Sequence, residues 1–117
     1  MSSQIEVELT RAVQAQLEGN PGKARVCARR AAGWATRAYY QRVDGPHWGG
    51  DALAQLKRLQ NDAAVPEPVR AAAARLTTKV NFDHTLPFEA DAVEDARGII
   101  EFARSQAGAT ARTSPAR

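Results

Sequence analysis

The sequence predicts an all-α protein, a four- to five-helix up-and-down bundle in one domain. Three observations carry this. Alanine, the strongest helix former, occurs 24 times, and arginine 13 times against 3 lysines, in 117 residues. Aromatic residues make up only 6%, so a core must be built from small side chains at short interhelical range. Apolar residues recur at three- and four-residue spacing in segments separated by Gly, Pro and Asn. Residues 1–107 form the helical domain in this reading. The remainder, GATARTSPAR at 108–117, has no apolar pattern and predicts a disordered tail.

The first helix spans about Gln4 to Glu18. Ser3 followed by Glu6 reads as a capping box, each side chain satisfying a free N–H of the first turn. Ile5, Leu9, Ala12, Val13 and Leu17 form its apolar stripe. Gly19-Asn20-Pro21-Gly22 breaks the chain, and the second helix spans about Lys23 to Arg42. At roughly 100° per residue, Trp34, Cys27, Ala38, Ala31, Ala24, Ala35, Ala28, Tyr39 and Ala32 share an arc of about 160°. So wide an arc predicts contact with more than one helix and a central position, and Gly33 allows close approach. Lys23, Arg25, Arg29, Arg30 and Arg37 fall on the other side. A turn-rich loop, Asp44 to Gly50, leads to a short third helix that Asp51 or Gly50 starts, with Leu53, Leu56 and Leu59 inward. Pro68 suits the first turn of a fourth helix carrying Val69, Ala72, Ala73, Leu76 and Val80. The fifth runs from about Glu89 to Gln106, with Val93, Ala96, Ile100 and Ala103 inward.

Composition excludes several classes. A single cysteine, Cys27, permits no intramolecular disulfide and fits a reducing cytoplasm. No apolar run is long enough to span a membrane, and the first residues lack the pattern of a signal peptide. His47 and His84 stand far apart, with no metal-ligand spacing and no phosphate-loop motif, so neither metal nor cofactor is expected. Charge is segregated. Residues 21–42 carry Lys23 and five arginines without an acid, whereas residues 81–104 carry a net charge of −4. Either the two helices compensate each other within the bundle, or the arginine face binds phosphates. The overall charge of +3 is too small to argue nucleic-acid affinity by itself.

Three stretches resemble the HEPN domain family. GKARVCARRAAGWATRAYY is similar to the family's second helix, HWGGDALAQLKRL to the entry of its third, and VNFDHTLPFEADAVEDARGIIEFAR to its closing loop and acidic helix. The likeness extends from Ile5 to Arg104. It implies an all-α, commonly dimeric domain that is either a ribonuclease or a non-catalytic partner of a minimal nucleotidyltransferase, as in toxin–antitoxin pairs. Where the nucleotidyltransferase-linked type carries Arg-Tyr-Pro-Asp leading into Leu-Pro, this chain reads Asn81-Phe82-Asp83-His84-Thr85-Leu86-Pro87. Asn81 replaces the arginine, removing a permanent charge and a planar donor fork. The resemblance therefore implies a nucleotide- or RNA-associated homodimer with little or no ribonuclease activity.

The candidate ligand-binding residues are Arg25, Arg29, Arg30, Arg37, Asn81, Asp83 and His84. Weak catalytic candidates are Arg42 and His47, the chain's one Arg–x4–His, together with His84. A degenerate metal-independent ribonuclease built on these, and a purely structural adaptor with a solvated arginine face, are the rival readings. Glu94, Asp95 and Glu101 of the fifth helix compete with phosphate for the same guanidinium groups. Trp48 and Phe88 either stack a base or cap the core. Tyr39 and Tyr40 are expected to straddle core and surface, and Cys27 to be buried and inert.

Overall fold

The computed structural model describes residues 3–45, 50–78 and 91–106. They form five helices and no strand: α1 Gln4–Leu17, α2 Pro21–Asp44, α3 Ala52–Gln60, α4 Glu67–Thr77 and α5 Ala92–Ser105. The tail at 108–117, Val80, and the loop residues His47, Trp48, Asn81 to Pro87 and Phe88 lie outside the described residues.

Four of the five helix starts have a side-chain cap. The Ser3 hydroxyl accepts from the Glu6 N–H at 3.2 Å. The Glu6 carboxylate does not complete the box but pairs with Arg104 of α5. The Asn20 side chain accepts from the Lys23 N–H at 3.1 Å, and α2 begins at Pro21, two residues before the expected start. Proline suits that position because the first helical N–H has no partner inside the helix. Asp51 caps α3 through the Ala54 N–H at 2.9 Å. Asp91 caps α5 through the Glu94 N–H at 3.1 Å, so that helix starts at Ala92 and not at Glu89.

Helix α2 is the hub. It packs against α1, α5 and α3, while α3 packs on α4 and α4 on α5. The short turn after Leu17 folds α1 back along α2 as an antiparallel hairpin. Eleven α2 residues are buried, including Ala28, Ala31, Ala32 and Ala35. Their small side chains meet Ala12, Ala73 and Ala96, with Leu56, Leu76 and Ile99 filling the remaining volume. Neighbours within the chain cover most of this arc, and Trp34 at its edge stays exposed.

The expected burial of five residues is corrected. Leu17 is 78% exposed, on the last residue of α1 where the chain leaves through Gly19. Leu53 is exposed because Ala52, not Leu53, faces α2, and Leu56 and Leu59 continue the face of Ala52. Trp34 is 42% exposed, at the edge of the arc. Tyr39 and Tyr40 do not straddle the surface: both are buried, edge to face at 4.9 Å, and Tyr39 also meets Phe102. Cys27 is buried, as expected.

Candidate functional site

The arginines of α2 divide into two sets. Arg25 is buried, and its Nη2 donates to the carbonyls of Arg75 at 2.5 Å and Thr78 at 2.6 Å. Arg29 Nε donates to the Leu76 carbonyl at 3.1 Å. All three acceptors lie at the end of α4, where a helix leaves carbonyls without internal partners and carries partial negative charge. Arg25 and Arg29 thus cap a neighbouring helix. Burial lowers the pKa of Arg25, Arg29 nearby pushes the same way, and Asp95 opposes both.

Arg42 does the same for α5, donating from Nη2 to the Ala103 carbonyl at 2.6 Å. The expected competition from the fifth helix takes another form. Asp95 is gripped by Nε and Nη2 of Arg75 on α4, at 2.8–3.1 Å. This contact raises the Arg75 pKa. Glu94 pairs with Arg97 at 2.8 Å on its own helix. Asp95 and Glu94 therefore neutralise neighbours on α4 and α5, and Glu101 makes no ion pair among the described residues.

Arg30 and Arg37 form the second set. Among the described residues neither makes an ion pair, and Arg30 is exposed. Trp34 lies between them, with the Arg37 guanidinium 5.9 Å from its ring centre. These three side chains and Gly33 form one wall of a cleft of about 260 Å³. Gly50, Asp51, Ala52 and Gln55 form the other. A shallower depression continues past Ala38 and Gln41.

Local geometry fixes the second wall. A Cβ on Gly33 would stand 2.5 Å from the Ala52 Cβ and 2.7 Å from its Cα, so only glycine lets α3 start this close to α2. Gly50 has φ +111°, a conformation costly for any other residue. The buried Gln55 amide donates to its carbonyl at 3.1 Å. The carboxylate of Asp51 uses Oδ1 for the α3 cap.

An exposed indole between two unneutralised guanidiniums can stack a planar ring and attract phosphate. No cluster of His, Cys, Asp and Glu among the described residues could hold a metal. Of the predicted ligand residues and catalytic candidates, the fold brings Arg30 and Arg37 together, sends Arg25, Arg29 and the catalytic candidate Arg42 to helix ends, and leaves Asn81, Asp83, His84 and His47 outside the described residues. Sequence reasoning missed Trp34 and Asp51. The signal for Trp34 was its place four residues after Arg30 and three before Arg37, a spacing that puts all three on one face. No helix among the described residues is long and apolar enough to cross a membrane. No protein-family model matches the chain, and no curated protein or solved structure does either.

Proposed function

We propose that the protein is a non-catalytic helical module that binds a nucleotide or RNA on the Arg30–Trp34–Arg37 face of α2. The observation that supports it is the exposed Trp34, set between two arginines without acidic partners and opening on a cleft. Arginine offers phosphate a planar fork of donors, and an indole accepts the face of any base. The resemblance to HEPN domains points the same way and adds a partner class, a minimal nucleotidyltransferase acting on or with the bound ligand. Cleavage would need a placed proton-transfer group beside a cation. The candidate Arg42 instead holds a helix end.

Fluorescence anisotropy with a labelled single-stranded RNA at low salt tests this. Trp34→Ala is expected to weaken binding about tenfold or more, since stacking on an aromatic is worth about 1–3 kcal/mol per base. Arg30→Ala/Arg37→Ala is expected to weaken it and flatten its salt dependence. Affinity unchanged in both variants would remove the reading and leave a solvated structural surface.

A further inference from the structure

We infer that the cleft beside Trp34 takes one base from a single-stranded RNA and that Asp51 makes that base a guanine. The inference rests on the nucleotide- or RNA-binding reading of the same face and specifies its ligand. Arg30 and Arg37 are seven residues apart, about 10 Å along a helix rising 1.5 Å per residue, and Trp34 lies between them. A mononucleotide carries its phosphates on one side of its base and reaches one of these cations. A strand that continues in both directions places a phosphate at each.

The size of the cleft agrees. At about 260 Å³ it falls just below the range of about 300–1,000 Å³ that encloses a drug-sized ligand. It has room for a splayed-out base and leaves the backbone outside, against the arginines. A duplex keeps its bases stacked and paired and cannot offer one without paying to extrude it.

The far wall supplies selectivity. Among the described residues Asp51 is the only acid lining the cleft, and its Oδ2 accepts no hydrogen bond from them. An ionised carboxylate only accepts hydrogen bonds. Guanine alone among the four bases presents two adjacent donors, its ring N–H and its amino group, on the Watson–Crick edge that RNA-binding sites read. Adenine and cytosine set an acceptor beside their amino group, and uracil flanks its single donor with two acceptors. Each of these aims a lone pair at the carboxylate. The positive wall therefore takes the backbone, and the negative wall takes the donor edge.

The test is anisotropy on the full chain with labelled UUUGUUU, UUUAUUU and all-uridine strands, with unlabelled GMP, an RNA duplex and a glutamate peptide as competitors. The guanine strand is expected to bind about tenfold tighter than the adenine strand. Asp51→Asn should abolish that preference while keeping the affinity for the uridine strand, because asparagine also caps a helix. Its far-ultraviolet circular dichroism should match that of the native chain. The slope of log affinity against log salt should fall by about 0.7 in each of Arg30→Ala and Arg37→Ala. Equal binding of the guanine and adenine strands overturns the role of Asp51 and leaves the RNA-binding reading standing. GMP competing as well as the guanine strand overturns the two-phosphate arrangement. A glutamate peptide that competes as well as RNA, or no binding of any strand, overturns both the inference and the function it rests on.

Discussion

Replacing Gly33 with alanine sets two effects against each other. Gly33 is interior to α2, so alanine adds up to about 1 kcal/mol of helix propensity. The new Cβ would stand 2.5 Å from the Cβ and 2.7 Å from the Cα of Ala52. The second of these atoms belongs to the main chain, so no rotamer change relieves the clash and the start of α3 must move. Overpacking of this kind costs about 1–3 kcal/mol, leaving a net loss of about 0–2 kcal/mol. Gly98, exposed in α5, is the internal control. Nothing lies within 4 Å of a Cβ built there, so Gly98→Ala should stabilise the fold by about 0.5–1 kcal/mol. Urea unfolding followed by circular dichroism should separate the two variants by about 1–3 kcal/mol. Adding Ala52→Gly to Gly33→Ala removes the nearer of the two clashing atoms and should recover part of the loss. Because Ala52 adjoins Asp51 in the cleft wall, Gly33→Ala should also weaken RNA binding under conditions where the protein is fully folded. If Gly33→Ala proves as stable as Gly98→Ala, the approach of α3 to α2 is not constrained by this contact. If it also binds RNA like the native chain, the contact does not shape the cleft.

Tyr40→Phe should cost about 1–2 kcal/mol in urea unfolding, because the phenol donates to Asp62 Oδ2 at 2.6 Å while phenylalanine keeps the ring under the Arg58 guanidinium. Burial first, and then the hydrogen bond to Asp62, raise the Tyr40 pKa far above the ordinary phenol value near 10. Above that pH the unfolded chain binds fewer protons than the folded one, so native stability is full below about pH 10 and falls as pH rises, more steeply than in Tyr40→Phe. An equal slope in the two proteins would show that the Tyr40 proton is not held by the fold. Asp95→Ala should cost about 1–2 kcal/mol, less than a fully buried pair, since the Arg75 side chain is 39% exposed. The loss should persist at high salt if burial of Asp95 protects the contact.

The helices were legible in the sequence because their signals are local. The Ser3 cap, the break at 19–22, Asp51, Pro68 and the apolar spacing act within a turn or two of themselves, although the break hid the true start of α2 at Pro21. The start of α5 was misplaced because the acids at Glu89 and Asp91 both suit a helix N-terminus, and only the cap geometry at Asp91 distinguishes them. The exposure of Leu53 was not legible, because it follows from a contact between Gly33 and Ala52 that no periodicity within α3 contains. Asp51 could be read as a helix cap, yet its place opposite Trp34 depends on that same contact.

The division of the arginines was present in the sequence but not interpretable from it. On a wheel of about 100° per residue, Arg30 and Arg37 lie about 40° and 60° outside the edge of the apolar arc that Trp34 forms. Arg25 and Arg29 lie about 20° and 60° outside the other edge, formed by Ala32. Treating the four as one basic face ignored which helix would occupy each edge. At the Ala32 edge stands the end of α4, whose carbonyls accept the donors of Arg25 and Arg29. Arg42 falls inside the arc, where its apolar stem can lie along the core while its head reaches the end of α5. Each of these three guanidiniums is held by carbonyls at a helix end, so a phosphate would have to displace a cap to bind there. At the Trp34 edge stands the start of α3, which offers no free carbonyls, and among the described residues Arg30 and Arg37 make no ion pair there. The free charge of α2 is thus concentrated beside its exposed aromatic, and the chain spends its other arginines on closing the ends of the helices that hold α2 in place.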